Sequence, residues 1–84
     1  MNKNDANSDY STDKNFYGTY MFIIEGHLDP SWSVWFDNLK INYVGPNTSL
    51  YGIIRDEAAF YSIINKMRDL NLKIIRIEKK DDSI

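Results

Sequence analysis

The sequence contains no cysteine, one histidine and only two prolines among its 84 residues. The absence of cysteine excludes disulfide bonds, thiol catalysis and cysteine-ligated zinc, and it is compatible with a reducing compartment. A chain of this length forms one domain. Because such a small domain buries a modest share of its surface, its stability has to come from a thin hydrophobic core.

Long apolar runs and an excess of positive charge are also missing. The longest run, Tyr20 to Ile24, is too short to cross a bilayer, and the polar N-terminus does not resemble a signal peptide. The formal net charge is −2 and the isoelectric point is about 5.2, which argues against binding of nucleic acid through a basic face. We therefore expect a cytoplasmic protein with neither a membrane nor a nucleic acid as its partner.

Both ends of the chain are polar. Residues 1–16 are mostly Asn, Asp, Ser and Lys, and such a segment cannot bury enough apolar surface to offset the entropy lost on ordering. We therefore predict a disordered N-terminal tail at residues 1–16. A single α+β domain is predicted at residues 17–79, followed by a charged C-terminal tail at residues 80–84.

Four segments have the alternation, or the β-branched and aromatic content, of strands. They are Tyr20 to Leu28, Leu39 to Tyr43, Ser49 to Arg55 and Leu72 to Lys79. The second and third are separated by a turn at Gly45 to Thr48 and form a hairpin. Because Pro46 lies in that turn, the simplest two-residue loop is not expected.

A short first helix of about two turns is predicted to begin at Asp29 and end at Asn38. Asp is a good N-cap and Pro30 suits the first helical position, while Asn tolerates the left-handed conformation that ends helices. Trp32, Trp35 and Phe36 share one face at this spacing. We interpret them as core anchors rather than as a platform that stacks on a ligand.

The second predicted helix begins at the cap Asp56, ends at Leu70 and is stopped by Asn71. One face of this helix is continuously apolar, as expected for a helix packed on a sheet. The residues of that face are Phe60, Ile63, Ile64, Met67 and Leu70.

The resulting order, β-α-β-β-α-β, is that of the ferredoxin-like fold. It predicts a four-stranded antiparallel sheet with strand order 4-1-3-2 and two helices on one face. The alternative is an irregular α+β roll, if the first helix proves to be a loop.

Both predicted central strands are apolar on both faces. A sheet face exposed to water alternates apolar and polar residues, so a second apolar face indicates an interaction surface. Met21, Ile23, Tyr51 and Ile53 are its candidate interface residues, and the expected partner is a second copy of the chain or another protein. The alternative is that the segment around Tyr10 to Tyr17 folds over this face.

A ligand pocket is also considered near His27, Asp29 and Trp32. His27 lies at the exit of the first strand, where a loop could offer it for proton transfer. A single histidine without a paired nucleophile is, however, more typical of a structural or merely exposed residue. No catalytic set follows from these residues, and they lack the spacing of a metal site.

No cofactor motif is present, because Gly26, Gly45 and Gly52 do not have the spacing of a phosphate-binding loop. Gly52 within a strand instead indicates a bulge or a close backbone approach. The segment Tyr51-Gly52-Ile53 also differs from the RNA-recognition motif, which requires a basic residue before its glycine. We therefore expect no cofactor.

Two segments together resemble a family of small uncharacterised prokaryotic proteins. Glu25 to Phe36 is similar to its "GHLD-x-x-WS-x-WF" segment, and Asp56 to Phe60 with Arg68 to Leu72 is similar to its "DQAAL…RDLGL" segment. The resemblance spans most of residues 20–77.

The departures from this family concern single positions. The family has Gly where Asn38 and Asn71 stand, which agrees with left-handed helix ends at both. It has Gln in place of Glu57 and His in place of Tyr61, and the latter weakens any pairing of position 61 with His27. The resemblance implies a shared fold and no particular activity.

The sequence thus favours a non-enzymatic interaction module that forms a homodimer through the open sheet face. A small enzyme or ligand sensor with a pocket near His27 is the alternative.

Overall fold

The computed structural model describes residues 16–80, and the rest of both predicted tails lies outside this range. The elements, numbered in chain order, are β1 Gly18–Glu25, a 3₁₀ helix Pro30–Ser33, β2 Lys40–Val44, β3 Asn47–Ile54, α1 Glu57–Asp69 and β4 Ile74–Lys80.

The strands form one antiparallel sheet with the spatial order β2-β3-β1-β4, which is 4-1-3-2 when read from the other edge. The pairing of β1 with β3 is continuous from Gly18 opposite Ile54 to Glu25 opposite Asn47. The register of β4 against β1 shifts between Ile23 and Ile24. An α+β architecture with a four-stranded antiparallel sheet is therefore confirmed.

The prediction of two helices packed on the sheet is not confirmed, because no α-helix lies between β1 and β2. Asp29 and Pro30 do start a helical segment, and the Asp29 side chain accepts a hydrogen bond from the backbone N–H of Ser31. The segment is a four-residue 3₁₀ helix followed by turns. Short helices are marginal without strong helix formers, and Ser, Val and Trp are weak ones.

The loop between β2 and β3 corrects a second expectation. Val44 pairs directly with Asn47, so Gly45 and Pro46 form a two-residue loop. Gly45 has φ 60°, as a type II′ turn requires at its first central position. Because the second position of that turn has negative φ, the proline ring fits there.

Helix α1 confirms the clearest sequence prediction. The Asp56 side chain caps it by accepting from the backbone N–H of Ala59, and Leu70 is its C-cap. Asn71 follows with φ 60°, and the N–H of Leu72 donates to the carbonyl of Met67 at 2.9 Å. This is the bonding of a Schellman motif, in which a left-handed residue terminates the helix.

The core lies between the sheet and the layer made of α1 and the β1–β2 connection. Its buried apolar residues are Tyr20, Phe22, Ile24, Leu28, Phe36, Leu39, Leu50, Ile54, Ile63 and Met67. Phe36 is fully buried, but Trp32 and Trp35 are 38% and 42% exposed. The interpretation of both tryptophans as core anchors is therefore wrong, because only Phe36 of the three aromatic residues is buried.

Gly52 marks a close approach, as its position in a strand predicted. A Cβ atom added to Gly52 would lie 2.6 Å from Cδ2 of Leu39 and 3.7 Å from the Leu39 Cα. Because Gly52 has no side chain, Leu39 at the end of the β1–β2 connection can pack directly on the sheet.

Candidate functional site

The face of the sheet opposite the core, called the open face below, is built from alternate residues of all four strands. β1 and β3 contribute Thr19, Met21, Ile23, Glu25, Asn47, Ser49, Tyr51 and Ile53, while β2 and β4 contribute Lys40, Asn42, Val44, Arg76, Glu78 and Lys80. Both α1 and the β1–β2 connection pack on the other face, because their buried residues share the core cluster of Tyr20, Phe22 and Leu50.

The middle of the open face is apolar and exposed. Ile53 is 63% exposed and Tyr51 is 40% exposed, while Met21 and Ile23 are partly buried. Met21 pairs directly with Tyr51 across the two central strands. The four side chains predicted from the sequence to form an interface are therefore brought together on one face.

Ser49 belongs to the open face but is almost inaccessible to solvent. It pairs with Ile23 on one side and with Asn42 on the other, and it is only 5% exposed. Within residues 16–80, no other side chain or backbone group forms a hydrogen bond with its hydroxyl. The burial of Ser49 could not be predicted from its own segment, because its neighbours belong to separate strands.

The edges of the open face are charged. β2 contributes Lys40, and β4 contributes Arg76, Glu78 and Lys80. Arg76 and Glu78 form an ion pair along β4. An apolar centre surrounded by charged residues is the usual anatomy of a protein–protein interface.

Phe16 shows where the chain enters the described part of the structure. Its ring centroid lies 5.3 Å from that of Phe60 and 5.9 Å from that of Tyr61. Both partners belong to α1, so Phe16 lies on the helix side of the sheet. This residue, assigned from the sequence to the N-terminal tail, packs against the folded domain.

The three residues proposed for a ligand pocket each have a local partner. The His27 ring stacks on Tyr43 with a centroid distance of 4.3 Å, and its Nε2 lies 2.8 Å from the carbonyl oxygen of Gly45. Asp29 caps the 3₁₀ helix, and Trp32 packs edge-on against Trp35 at 6.3 Å. Within residues 16–80, no hydrogen bond or ring contact joins the side chains of His27, Asp29 and Trp32.

Further side-chain bonds fasten the His27 loop to the β2–β3 hairpin. The buried Thr48 hydroxyl donates to the carbonyl of Gly26 at 2.6 Å and accepts from the N–H of Leu28 at 2.9 Å. The Tyr43 hydroxyl donates to the carbonyl of Leu28 at 2.7 Å. Nothing in the local sequence marks Thr48 for this role, because its partners lie about 20 residues away. The geometry gives His27 a role in holding this loop.

The carboxylate of Asp29 is stabilised by its cap. Hydrogen bonds from the backbone N–H of Ser31 and from the Ser31 side chain hold the pKa of Asp29 below its ordinary value. A carboxylate held in this charged form is suited to capping and poorly suited to accepting a proton at neutral pH.

Trp35, one of the two exposed tryptophans, lies beside α1. Lys66 Nζ is 5.5 Å from the centroid of the Trp35 ring and 3.5 Å from Oδ1 of Asp37. Asp37 and Asn38 both have positive φ, 58° and 65°. Lys66 therefore ties the left-handed end of the β1–β2 connection to the helix.

A cleft of about 340 Å³ lies where the β1–β2 connection meets the start of α1. It is lined by Asp37, Asn38, Ile53, Ile54, Arg55 and Ala59, and none of the three predicted ligand residues reaches it. Across residues 16–80, no three His, Asp or Glu side chains are grouped so that they could hold a metal ion. In the same range, no helix has the length and apolar character needed to cross a membrane.

Within residues 16–80, the fold and this surface define a small α+β domain with an antiparallel sheet, one face of which packs against α1 while the other carries exposed apolar side chains. Residues 19–78 match the family model described as Domain of unknown function (DUF8691), and the chain belongs to that family. This agrees with a resemblance to an uncharacterised family.

Comparison with the curated proteins finds no match, and comparison with the solved structures finds none either.

Proposed function

We propose that this domain is a non-enzymatic interaction module that self-associates through its open face. The observation that carries the proposal is the contiguous apolar patch of Met21, Ile23, Tyr51 and Ile53. It is flanked by Lys40 on β2 and by Arg76, Glu78 and Lys80 on β4. Exposed apolar surface of this kind is unfavourable in water, and its burial against a matching surface stabilises a complex.

The two edges of the sheet favour association through the face rather than through strand addition. The edge strand β4 carries charged side chains along most of its length and has an irregular register next to Ile24. The other edge strand, β2, is only five residues long. Charged, irregular or short edges discourage the pairing of sheets edge to edge.

The position of Phe16 favours a second copy over the chain's own N-terminal segment as the occupant of the open face. Phe16 packs on α1, so the described part of the chain begins in the layer opposite to the open face. A second copy offers a matching apolar patch directly.

The proposal is tested with the full-length chain and two variants of matched chemistry. Ile53→Asp places a charge on the exposed apolar patch of the open face, whereas Val34→Asp places the same charge on the other layer, at a residue that is 76% exposed. Sedimentation equilibrium gives the mass of each over a range of concentrations.

We expect the parent protein and Val34→Asp to approach twice 9.9 kDa and Ile53→Asp to remain monomeric. A parent protein that is monomeric at all concentrations overturns the proposal. If, in addition, Ile53→Asp lowers the unfolding temperature of that monomer more than Val34→Asp does, the face is covered by the chain itself.

The remaining expectations from the sequence form part of the same proposal. The partner class is a second copy or another protein, and neither nucleic acid nor a membrane. The proposed location is the cytoplasm. We further propose that the domain is a ferredoxin-like variant whose first helix is reduced to the 3₁₀ turn, a classification supported by its strand order.

A further inference from the structure

One row of the open face has opposite charges at its two ends. Lys40, Tyr51, Met21 and Glu78 are directly paired across β2, β3, β1 and β4, in that order. From one edge of the sheet to the other, the row thus contains a basic, an aromatic, a thioether and an acidic side chain. If a second copy of the row lies opposite the first in the reversed direction, each basic end faces an acidic end.

We infer that two copies of the chain pair face to face about a two-fold axis parallel to the strands, with Lys40 of each copy opposite Glu78 of the other. This inference rests on the proposed self-association and adds its geometry. Rotation about such an axis places β2 of one copy opposite β4 of the other. Each row keeps its position along the strand direction, so it faces the same row of the second copy. Tyr51 of one copy then lies over Met21 of the second, a favourable contact between sulfur and an aromatic ring.

The neighbouring row is compatible with the same axis. It consists of Asn42, Ser49, Ile23 and Arg76. Reversal places Arg76 opposite Asn42, whose amide oxygen can accept from the guanidinium. It also places Ile23 of one copy over Ser49 of the other, so that a large side chain lies opposite a small one.

The dimensions of sheets allow these contacts. Neighbouring strands are about 4.8 Å apart, so the two ends of the Lys40–Glu78 row are separated by about 14 Å. Stacked sheets pack about 10 Å apart, and their strand directions differ by about 30°. The long Lys and Glu side chains can span that gap at the edges, while Tyr51 and Met21 fill the centre.

A two-fold axis perpendicular to the strands, in the plane between the two sheets, is less favourable. If that axis passes through the Lys40–Glu78 row, Lys40 lies opposite Lys40 and Glu78 opposite Glu78, which places like charges together. If it passes between the two rows, Glu78 lies opposite Arg76, but Lys40 faces Asn42 and has no acidic partner. The axis parallel to the strands is the arrangement that pairs both ends of the Lys40–Glu78 row.

A charge exchange in the full-length chain tests this geometry. The variants are Lys40→Glu, Glu78→Lys and the double exchange, and the dimer Kd of each is measured by sedimentation at low and at high salt. Arg68→Glu makes the same charge change on α1, in the opposite layer, and is the matched control. Thermal unfolding of each variant corrects for loss of the ion pair between Glu78 and Arg76.

We expect Lys40→Glu to raise the dimer Kd roughly tenfold or more, because two attractive pairs become repulsive by symmetry. The double exchange should return the Kd to roughly the parent value, and Arg68→Glu should leave it unchanged. High salt should reduce the effect of Lys40→Glu.

Self-association and the direction of the two-fold axis are contradicted by different results. A monomeric parent protein refutes self-association itself. A dimeric parent that is disrupted by Ile53→Asp but unaffected by Lys40→Glu retains the open-face interface and overturns the axis. The axis is also overturned if Lys40→Glu weakens the dimer and Glu78→Lys does not rescue it.

Discussion

The hydroxyl of Thr48 donates a 2.6 Å hydrogen bond to the carbonyl of Gly26, 22 residues earlier in the chain. The same hydroxyl accepts from the N–H of Leu28, and Thr48 is fully buried. One side chain thus satisfies two backbone groups of the loop that leaves β1. It also fixes that loop against the β2–β3 hairpin.

Thr48→Val retains the shape of the side chain but leaves both backbone groups without their partner. We expect a loss of about 2–4 kcal/mol in the free energy of unfolding, because unsatisfied buried polar groups are costly. Urea denaturation measures the loss. Thr48→Ser retains the hydroxyl and should lose less, so an equal loss in the two variants would contradict the assigned role.

Gly52→Ala should destabilise the domain by about 1–3 kcal/mol, because the added methyl overlaps the Leu39 side chain. The contact would be 2.6 Å without adjustment. Leu39→Ala removes the overlapping atoms, so it should cost less in the Gly52→Ala background than in the parent protein. Additive free energies in this double-mutant cycle would show that the two positions do not interact.

Asn71 adopts φ 60° at the end of α1, a conformation that is unfavourable for residues with an ordinary side chain. Asn71→Ala should therefore lower the free energy of unfolding by about 1 kcal/mol. Asn71→Gly should preserve or slightly raise it. Thermal unfolding monitored by circular dichroism compares the two, and an alanine variant as stable as the glycine variant would refute the argument.

The Asp29 cap should make stability depend on pH. Since the folded state holds the pKa of Asp29 below its ordinary value of 3.8, the stabilisation is fully present above that value. It is lost as the pH falls through the folded-state pKa. Asn is also a good cap but does not titrate there, so Asp29→Asn should be less stable than the parent near neutral pH. The difference should shrink in acid.

Urea denaturation of both proteins at about pH 6 and at about pH 2.5 measures this change. A difference in unfolding free energy that is the same at both values would show that the cap does not depend on the charge of Asp29.

Local patterns in the sequence were sufficient for the helix and for the faces of the central strands. The stripe from Phe60 to Leu70 follows from helical periodicity, and its cap and stop depend on neighbouring residues only. Likewise, alternation separates Phe22 from Met21 within β1 and Leu50 from Tyr51 within β3, because successive side chains of a strand point to opposite faces. These predictions are confirmed.

The β1–β2 connection could not be predicted in the same way. Its segment has a good cap at Asp29 but weak helix formers, so tertiary packing decided between a helix and turns. Only Phe36 of its aromatic residues reached the core, and the two tryptophans remained half exposed. The sequence interpretation of them failed because it assumed helical geometry throughout.

The sequence by itself determined helix α1, the four strands and the presence of a second apolar sheet face, because these depend on short-range spacing. Tertiary structure alone decided which face of β1 meets the helix, that Ser49 is buried between its neighbours, and that Lys40 and Glu78 end the same row. Those relationships require residues from separate strands to be placed in register. Register is set by the packing of the whole core and not by any one segment.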